Sequence, residues 1–124
     1  MTPPAVRELK AFVPASDFER SKRFYTALGF TCQWTAGELA CFKLGTSAAF
    51  LLQDFHVPAC TENFKMHLLV DDVDAWWRHA MPVARDFGLR IDPPEDRPWG
   101  LRDFPLLDPS GVLWRIGQPL ARGG

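Results

Sequence analysis

The sequence has no apolar run approaching the ~20 residues that a membrane helix needs, no block of basic residues, and no closely spaced cysteine pair. The first absence argues against a membrane span. The second argues against nucleic acid as a partner, since proteins that neutralise phosphates show a basic face or run. Lys and Arg total 14, Asp and Glu total 15, and the two signs are mixed along the chain. Three cysteines, Cys32, Cys41 and Cys60, are odd in number and widely spaced. They suit reduced, mostly buried thiols better than a disulfide framework. The opening MTPPAVRELK lacks the basic-then-apolar pattern of a secretory signal, so a cytoplasmic protein is expected. There is also no G-x-S-x-G elbow, no C-x-x-C and no glycine-rich phosphate loop.

The chain does have aromatics, with five Trp and ten Phe among 124 residues. Apolar residues make up 47% and charged residues 23%, the balance of one globular domain with a single core. So many large rings either fill that core or line a concave apolar site able to stack a planar ligand.

The order of apolar and turn segments occurs twice. From Leu9 to Ala15 an extended run leads to Ser16 and Glu19, a capping-box pair. The helix that follows carries Phe18, Ser21, Tyr25 and Leu28 on one face and stops at Gly29. Strands are expected at Thr31–Trp34, Leu39–Leu44 and Ala48–Gln53. In the second half an apolar strand from Lys65 meets Asp71 and Asp72. A helix then carries Val73, Trp76, Trp77, Ala80 and Ala84 at helical spacing. Pro82 is expected to kink or split that helix. Further strands are expected at Leu89–Asp92, Arg102–Leu107 and Val112–Gly117, the last two joined by the turn DPSG. The reading is α+β, one domain over 1–124, built from two βαβββ modules at about 8–53 and 64–117. Neither module can bury both faces of its sheet, so the two should pack into one curved sheet system around a cleft.

With this order the chain resembles the vicinal oxygen chelate superfamily of glyoxalases, extradiol dioxygenases and bleomycin-resistance proteins. The stretches that carry the likeness are VPASDFERSKRFYTALGF (13–30), LLVDDVDAWW (68–77) and PWGLRDFPLLDPSGVLWRIG (98–117). The last looks most like the bleomycin-resistance branch. The resemblance implies a homodimer, often with an exchanged N-terminal strand, and ligand clefts at the subunit interface.

Enzymes of that superfamily hold a divalent metal with His, Gln or Glu on four strands facing the cleft. Two of those positions precede the helix-opening aspartates by seven residues, which from Asp17 and Asp72 gives Lys10 and Lys65. The other two follow the start of a strand-to-strand turn by seven, which gives Arg115 from Asp108 and Leu52 from Gly45. Protonated ammonium and guanidinium groups have no free lone pair and repel a cation. Gln53, beside Leu52, would add only a lone amide. The expectation is therefore no metal and no cofactor. His67 shares a strand face with Lys65 and Leu69, as a wall histidine bonded internally, as a ligand contact, or as a general base. Trp99, on the loop after DPPEDRP, is the candidate stacking residue.

Other groups have simpler readings. Asp17, Asp71 and Asp72 sit at helix starts, where capping accounts for them. His56 and Cys60 lie on the joint, and two ligands do not make a metal site. His79 lies on a helix. Trp114 should pack against a helix, as should Trp76 and Trp77.

The ligand-binding set is thus Lys10, Leu52, Lys65, His67, Trp99 and Arg115, with no catalytic residue assigned. Three cations on one wall favour an anionic or aromatic small molecule, whereas bleomycin itself is cationic and suits an acidic field. A metal-free small-molecule binder, with antibiotic sequestration as one form of it, is the first reading. A metal-dependent glyoxalase-like lyase or dioxygenase is the second, and a non-catalytic regulatory or interaction domain the third.

Overall fold

The computed structural model describes residues 2–120, so Met1 and residues 121–124 of the expected domain lie outside the described residues. β1 (Phe12–Ala15) leads into α1 (Phe18–Leu28), followed by β2 (Thr31–Ala36), β3 (Leu39–Leu44) and β4 (Ala48–Asp54). The joint holds a single turn of helix, α2 (Pro58–Thr61). The second half runs β5 (Lys65–Leu69), α3 (Val73–Asp86), β6 (Glu95–Asp96), β7 (Leu101–Leu107) and β8 (Leu113–Pro119). The fold is α+β with a βαβββ unit in each half.

The strands make two four-stranded mixed sheets, ordered β1-β4-β3-β2 and β5-β8-β7-β6, instead of the one continuous system expected. In each, the first strand of the unit runs parallel to the last, and the rest of the sheet is antiparallel. The strand expected at Leu89–Asp92 is reduced to an isolated bridge between Ile91 and Leu106. The paired segment comes later, as the short β6 edge.

Local chemistry explains the helix ends. The N-cap of α1 is Asp17, not Ser16, and its carboxylate accepts the Arg20 N–H at 3.1 Å. Asp72 caps α3 in the same way through Ala75 N–H at 3.0 Å. Ser16 is used differently: its N–H donates to Ser110 Oγ across the two halves at 2.9 Å. Of the kink or split expected at Pro82, the split does not occur: α3 runs unbroken through it. Pro82 is on the exposed side, where the ring meets solvent.

One core serves both halves. Val13, Phe42, Phe50 and Leu52 from the first sheet join Leu106, Trp114 and Ile116 from the second, with α1 and α3 supplying Phe24, Tyr25, Leu28, Ala80 and Ala84. Tyr25 on α1 touches rings on both sides, with centroids 4.8 Å from Phe50 and 5.6 Å from Trp114. Trp114 packs as its strand parity predicts. Trp76 and Trp77 are only partly buried against this core, less than expected. Of the three free thiols only Cys41 is buried, while Cys32 and Cys60 are exposed, which corrects the expectation for those two. No helix among the described residues is long and apolar enough to cross a membrane.

Candidate functional site

Because each sheet gives one face to the helices, its other face is left open. Strand parity then decides which side chains occupy it. On β5, Leu68 is buried while Lys65, His67 and Leu69 are exposed on the opposite face. Parallel pairing sets His67 beside Arg115 and Lys65 beside Leu113. Antiparallel pairing sets Pro105 beside Arg115 and Asp103 beside Gly117. The second sheet therefore presents Lys65, His67, Asp103 and Arg115 on one face.

A hollow of about 290 Å³ lies over this face, lined by Lys65, His67, Trp99, Leu101, Asp103 and Arg115. Four of the six residues singled out from the sequence meet here. Trp99 is held over the hollow by a tight loop in which Gly100 N–H donates to Arg97 O at 3.2 Å and Arg97 N–H donates to Leu101 O at 2.7 Å. Gly100 has φ of 87°, a left-handed conformation that glycine adopts without strain. The indole is 61% exposed, with a face free to stack. On the other side of Arg115 a second hollow of about 490 Å³ is lined by Arg90, Asp92, Glu95, Arg97, Leu107 and Arg115.

Asp103 and Arg97 were not legible as site residues. Asp103 is 1% exposed, and its Oδ1 accepts from Arg97 Nε at 2.8 Å and Arg115 Nη1 at 3.2 Å. A carboxylate this deep is tolerated because two guanidiniums face it. Arg97 also reaches Glu95 at 2.9 Å. Gly117 makes room for the trio, since a Cβ there would lie 3.0 Å from Asp103 Cβ and 3.3 Å from Arg102 O. The contact depends on strand register, which no local sequence signal displays.

Two of the expected residues lie elsewhere. Leu52 is fully buried in the core, paired with Val13 and Ala40. Its neighbours Leu51 and Gln53, half-buried, take the open face, so the count along that strand was one residue out. Lys10 lies beside the first sheet and not in the hollow with Lys65 and Arg115. Its ammonium pairs with Glu8, which also holds Lys43 at 3.2 Å. The Glu8 hydrogen bond raises the Lys10 pKa, and Lys10 in turn lowers that of Glu8.

A metal does not suit this donor set. Lys10, Lys65 and Arg115 offer no lone pair, and of the residues on the open face at the fourth position Leu51 is apolar and Gln53 adds only a lone amide. Among the described residues no three His, Cys, Asp or Glu side chains form a group that could hold a metal ion. His56 bonds weakly to Thr61 Oγ1 at 3.5 Å, and His79 Nε2 meets the last carbonyl of α1, Leu28 O, at 2.7 Å.

Residues 9–116 match the family model of the Glyoxalase/Bleomycin resistance protein/Dioxygenase superfamily. Comparison with curated proteins found no match. Among solved structures, a bleomycin-binding protein complexed with bleomycin superposes with a TM-score of 0.77 at 24% identity, covering 91% of this chain and 98% of that one. TnmS3, an antibiotic binding protein from Streptomyces sp. CB03234, gives 0.74 at 26% identity, covering 94% and 99%. Lactoylglutathione lyase from Agrobacterium tumefaciens gives 0.66 at 20% identity, covering 94% and 95%. The same architecture thus carries binders and a lyase, and the side chains of the open face must decide between such uses.

Proposed function

The chain belongs to the Glyoxalase/Bleomycin resistance protein/Dioxygenase superfamily, and from that membership we propose that it is a metal-free small-molecule-binding protein. The reading rests on one observation: Lys65, His67, Trp99 and Arg115 line a single hollow at the face where enzymes of the superfamily would need ligating oxygens or nitrogens. Cationic donors beside an exposed indole grip an anionic or aromatic molecule, not a cation. Antibiotic sequestration is the form of binding favoured by the likeness to TnmS3.

The functional unit in this proposal is a homodimer. One chain supplies two open sheet faces, each a single wall, and both carry exposed apolar side chains. Phe12 and Trp34 lie on the first sheet and Leu69 on the second, with Trp99 beside it. Facing the first sheet of one copy against the second sheet of another would cover these and enclose the hollow. Lys10 would then approach the ligand from the partner's wall. An exchanged N-terminal strand is compatible with that arrangement.

The test is a thermal-shift screen of anionic aromatics, antibiotics and divalent metals. A ligand that binds only the folded state raises the melting temperature. Hits should weaken in Trp99→Ala and Lys65→Ala, and elution of the free protein on a calibrated sizing column should correspond to two chains. Stoichiometric nickel, zinc, iron or manganese after purification would instead establish a metalloenzyme.

A further inference from the structure

We infer that Asp103 is a positioning residue that turns Arg115 into a receptor for the carboxylate of a planar aromatic ligand. The inference deepens the binding reading of the same hollow and rests on it.

A guanidinium can meet a carboxylate in a fork, two parallel N–H donors to two oxygens, along either of two edges. In Arg115, Nη1 is committed to Asp103 at 3.2 Å. That leaves the edge formed by Nε and Nη2 without an acceptor among the described residues, on a side chain that stays 39% exposed. Asp103 therefore occupies one donor and orients the remaining fork. The carboxylate itself is nearly inaccessible, at 1% exposure, so it fixes the arginine without repelling an incoming anion at the surface of the hollow. Arg97 Nε holds the same oxygen from the other side and its Nη1 is paired with Glu95, so Arg97 is neutralised locally and only Arg115 has donors left for a ligand. Gly117 completes the device, because any side chain there would displace Asp103.

The remaining walls describe the ligand's body. Lys65, on the neighbouring strand, makes no ion pair among the described residues. It adds a point charge to the fork. Trp99 and Leu101 give an aromatic and an aliphatic surface a few side chains away. A hollow of about 290 Å³ is at the small end for ligand sites, suited to one or two fused rings. The fork can take two oxygens of a carboxylate or of a phosphate; a carboxylate has both of its oxygens met by it, whereas a phosphate leaves a third to Lys65 or water.

The experiment uses the full chain and calorimetry with four probes on one scaffold: 2-naphthoate, 2-naphthyl phosphate, 2-naphthylmethanol and 2-naphthylmethylammonium. Naphthoate should bind about tenfold or more tightly than the neutral alcohol, the worth of charge-assisted hydrogen bonds, and the ammonium should bind most weakly. Asp103→Asn and Arg115→Lys should each cut the naphthoate preference over the alcohol several-fold, because the oriented fork is lost while the charge of Lys65 remains. A loss of mere structural integrity would weaken all four probes together. If Asp103→Asn does not fold, Arg115→Lys decides, since that side chain is partly exposed and its charge is kept. Naphthoate binding no tighter than the alcohol, or a preference undiminished in both variants, overturns the inference. Naphthyl phosphate binding more tightly than naphthoate overturns the carboxylate assignment. The alcohol binding in a Trp99-dependent way while naphthoate shows no preference would sink this inference and leave the binding site standing. Insensitivity of every probe to Trp99→Ala would remove the binding site itself.

Discussion

Tyr25 donates its phenolic hydrogen to Asp108 Oδ2 at 2.6 Å, joining the helix of the first half to the turn between the last two strands. The same hydroxyl accepts from Trp114 Nε1 at 2.9 Å, and Asp108 Oδ1 takes the N–H groups of Ser110 and Val112 at 2.8 and 2.9 Å. Every member of this chain is buried beyond the reach of bulk water except Ser110.

Tyr25→Phe removes one atom and orphans two partners. The Trp114 N–H and one Asp108 oxygen would each be left in a dry environment. The expected cost is about 1–3 kcal/mol. Urea unfolding should show a lower midpoint with an unchanged slope.

Asp108 also makes stability depend on pH. Burial raises its pKa above the usual aspartate value, an effect its hydrogen bonds only partly offset. The folded chain thus holds this proton more tightly than the unfolded chain does. As pH rises from the unfolded value through the raised folded value, folding must take up a proton that is becoming scarce, and this component of stability falls. Above both values the loss is complete and constant. Subtracting the unfolding free energy of Asp108→Asn from that of the wild type across pH 3–7 should isolate a downward slope. A flat difference would contradict it.

Gly117 is not one of the left-handed glycines, so backbone strain plays no part in its substitution. Gly117→Ala would press a methyl against Asp103 Cβ at 3.0 Å. Overpacking of this kind costs about 1–3 kcal/mol. Chemical denaturation should show that loss, and any cleft ligand that depends on Arg115 should bind the variant less tightly.

Pro82 offers a gain. It sits inside a continuous helix on the exposed side, where it withholds an N–H from the Arg78 carbonyl. Pro82→Ala restores that donor and should stabilise the protein by up to about 3 kcal/mol. A lower melting temperature for the variant would show that the helix is shaped around the proline.

The sequence displayed the architecture well because turns, caps and helical periodicity are local signals. Gly29, Asp17 with Asp72, and the spacing of Tyr25 and Leu28 all act within one or two turns of chain. The sites where reading failed are those set by pairing between distant segments. In FLLQ (50–53) three apolar residues stand in a row, so alternation could not say whether Leu51 or Leu52 faces the core. A shift of one residue exchanges the two faces. On the last strand the alternation of Trp114, Arg115 and Ile116 is clean, and there the parity was legible. Asp103 looked like an ordinary strand carboxylate, since only its register with Gly117 and Arg115 reveals why it is buried. Lys10 is a different case: its strand begins at Phe12, and the residues before it follow Glu8 instead of the sheet.

The two halves share a plan but have surrendered autonomy. A polypeptide ending in the joint would keep Tyr25 yet lose both of its hydrogen-bonding companions, and Phe30 and Phe50 would forfeit the indole of Trp114 that covers them at 5.8 and 5.6 Å. The complementary fragment would carry a raw flank where α1 had lain. Neither piece should hold a stable shape alone, so the molecule should melt in one event, and whatever loosens the Tyr25 junction should loosen both walls at once.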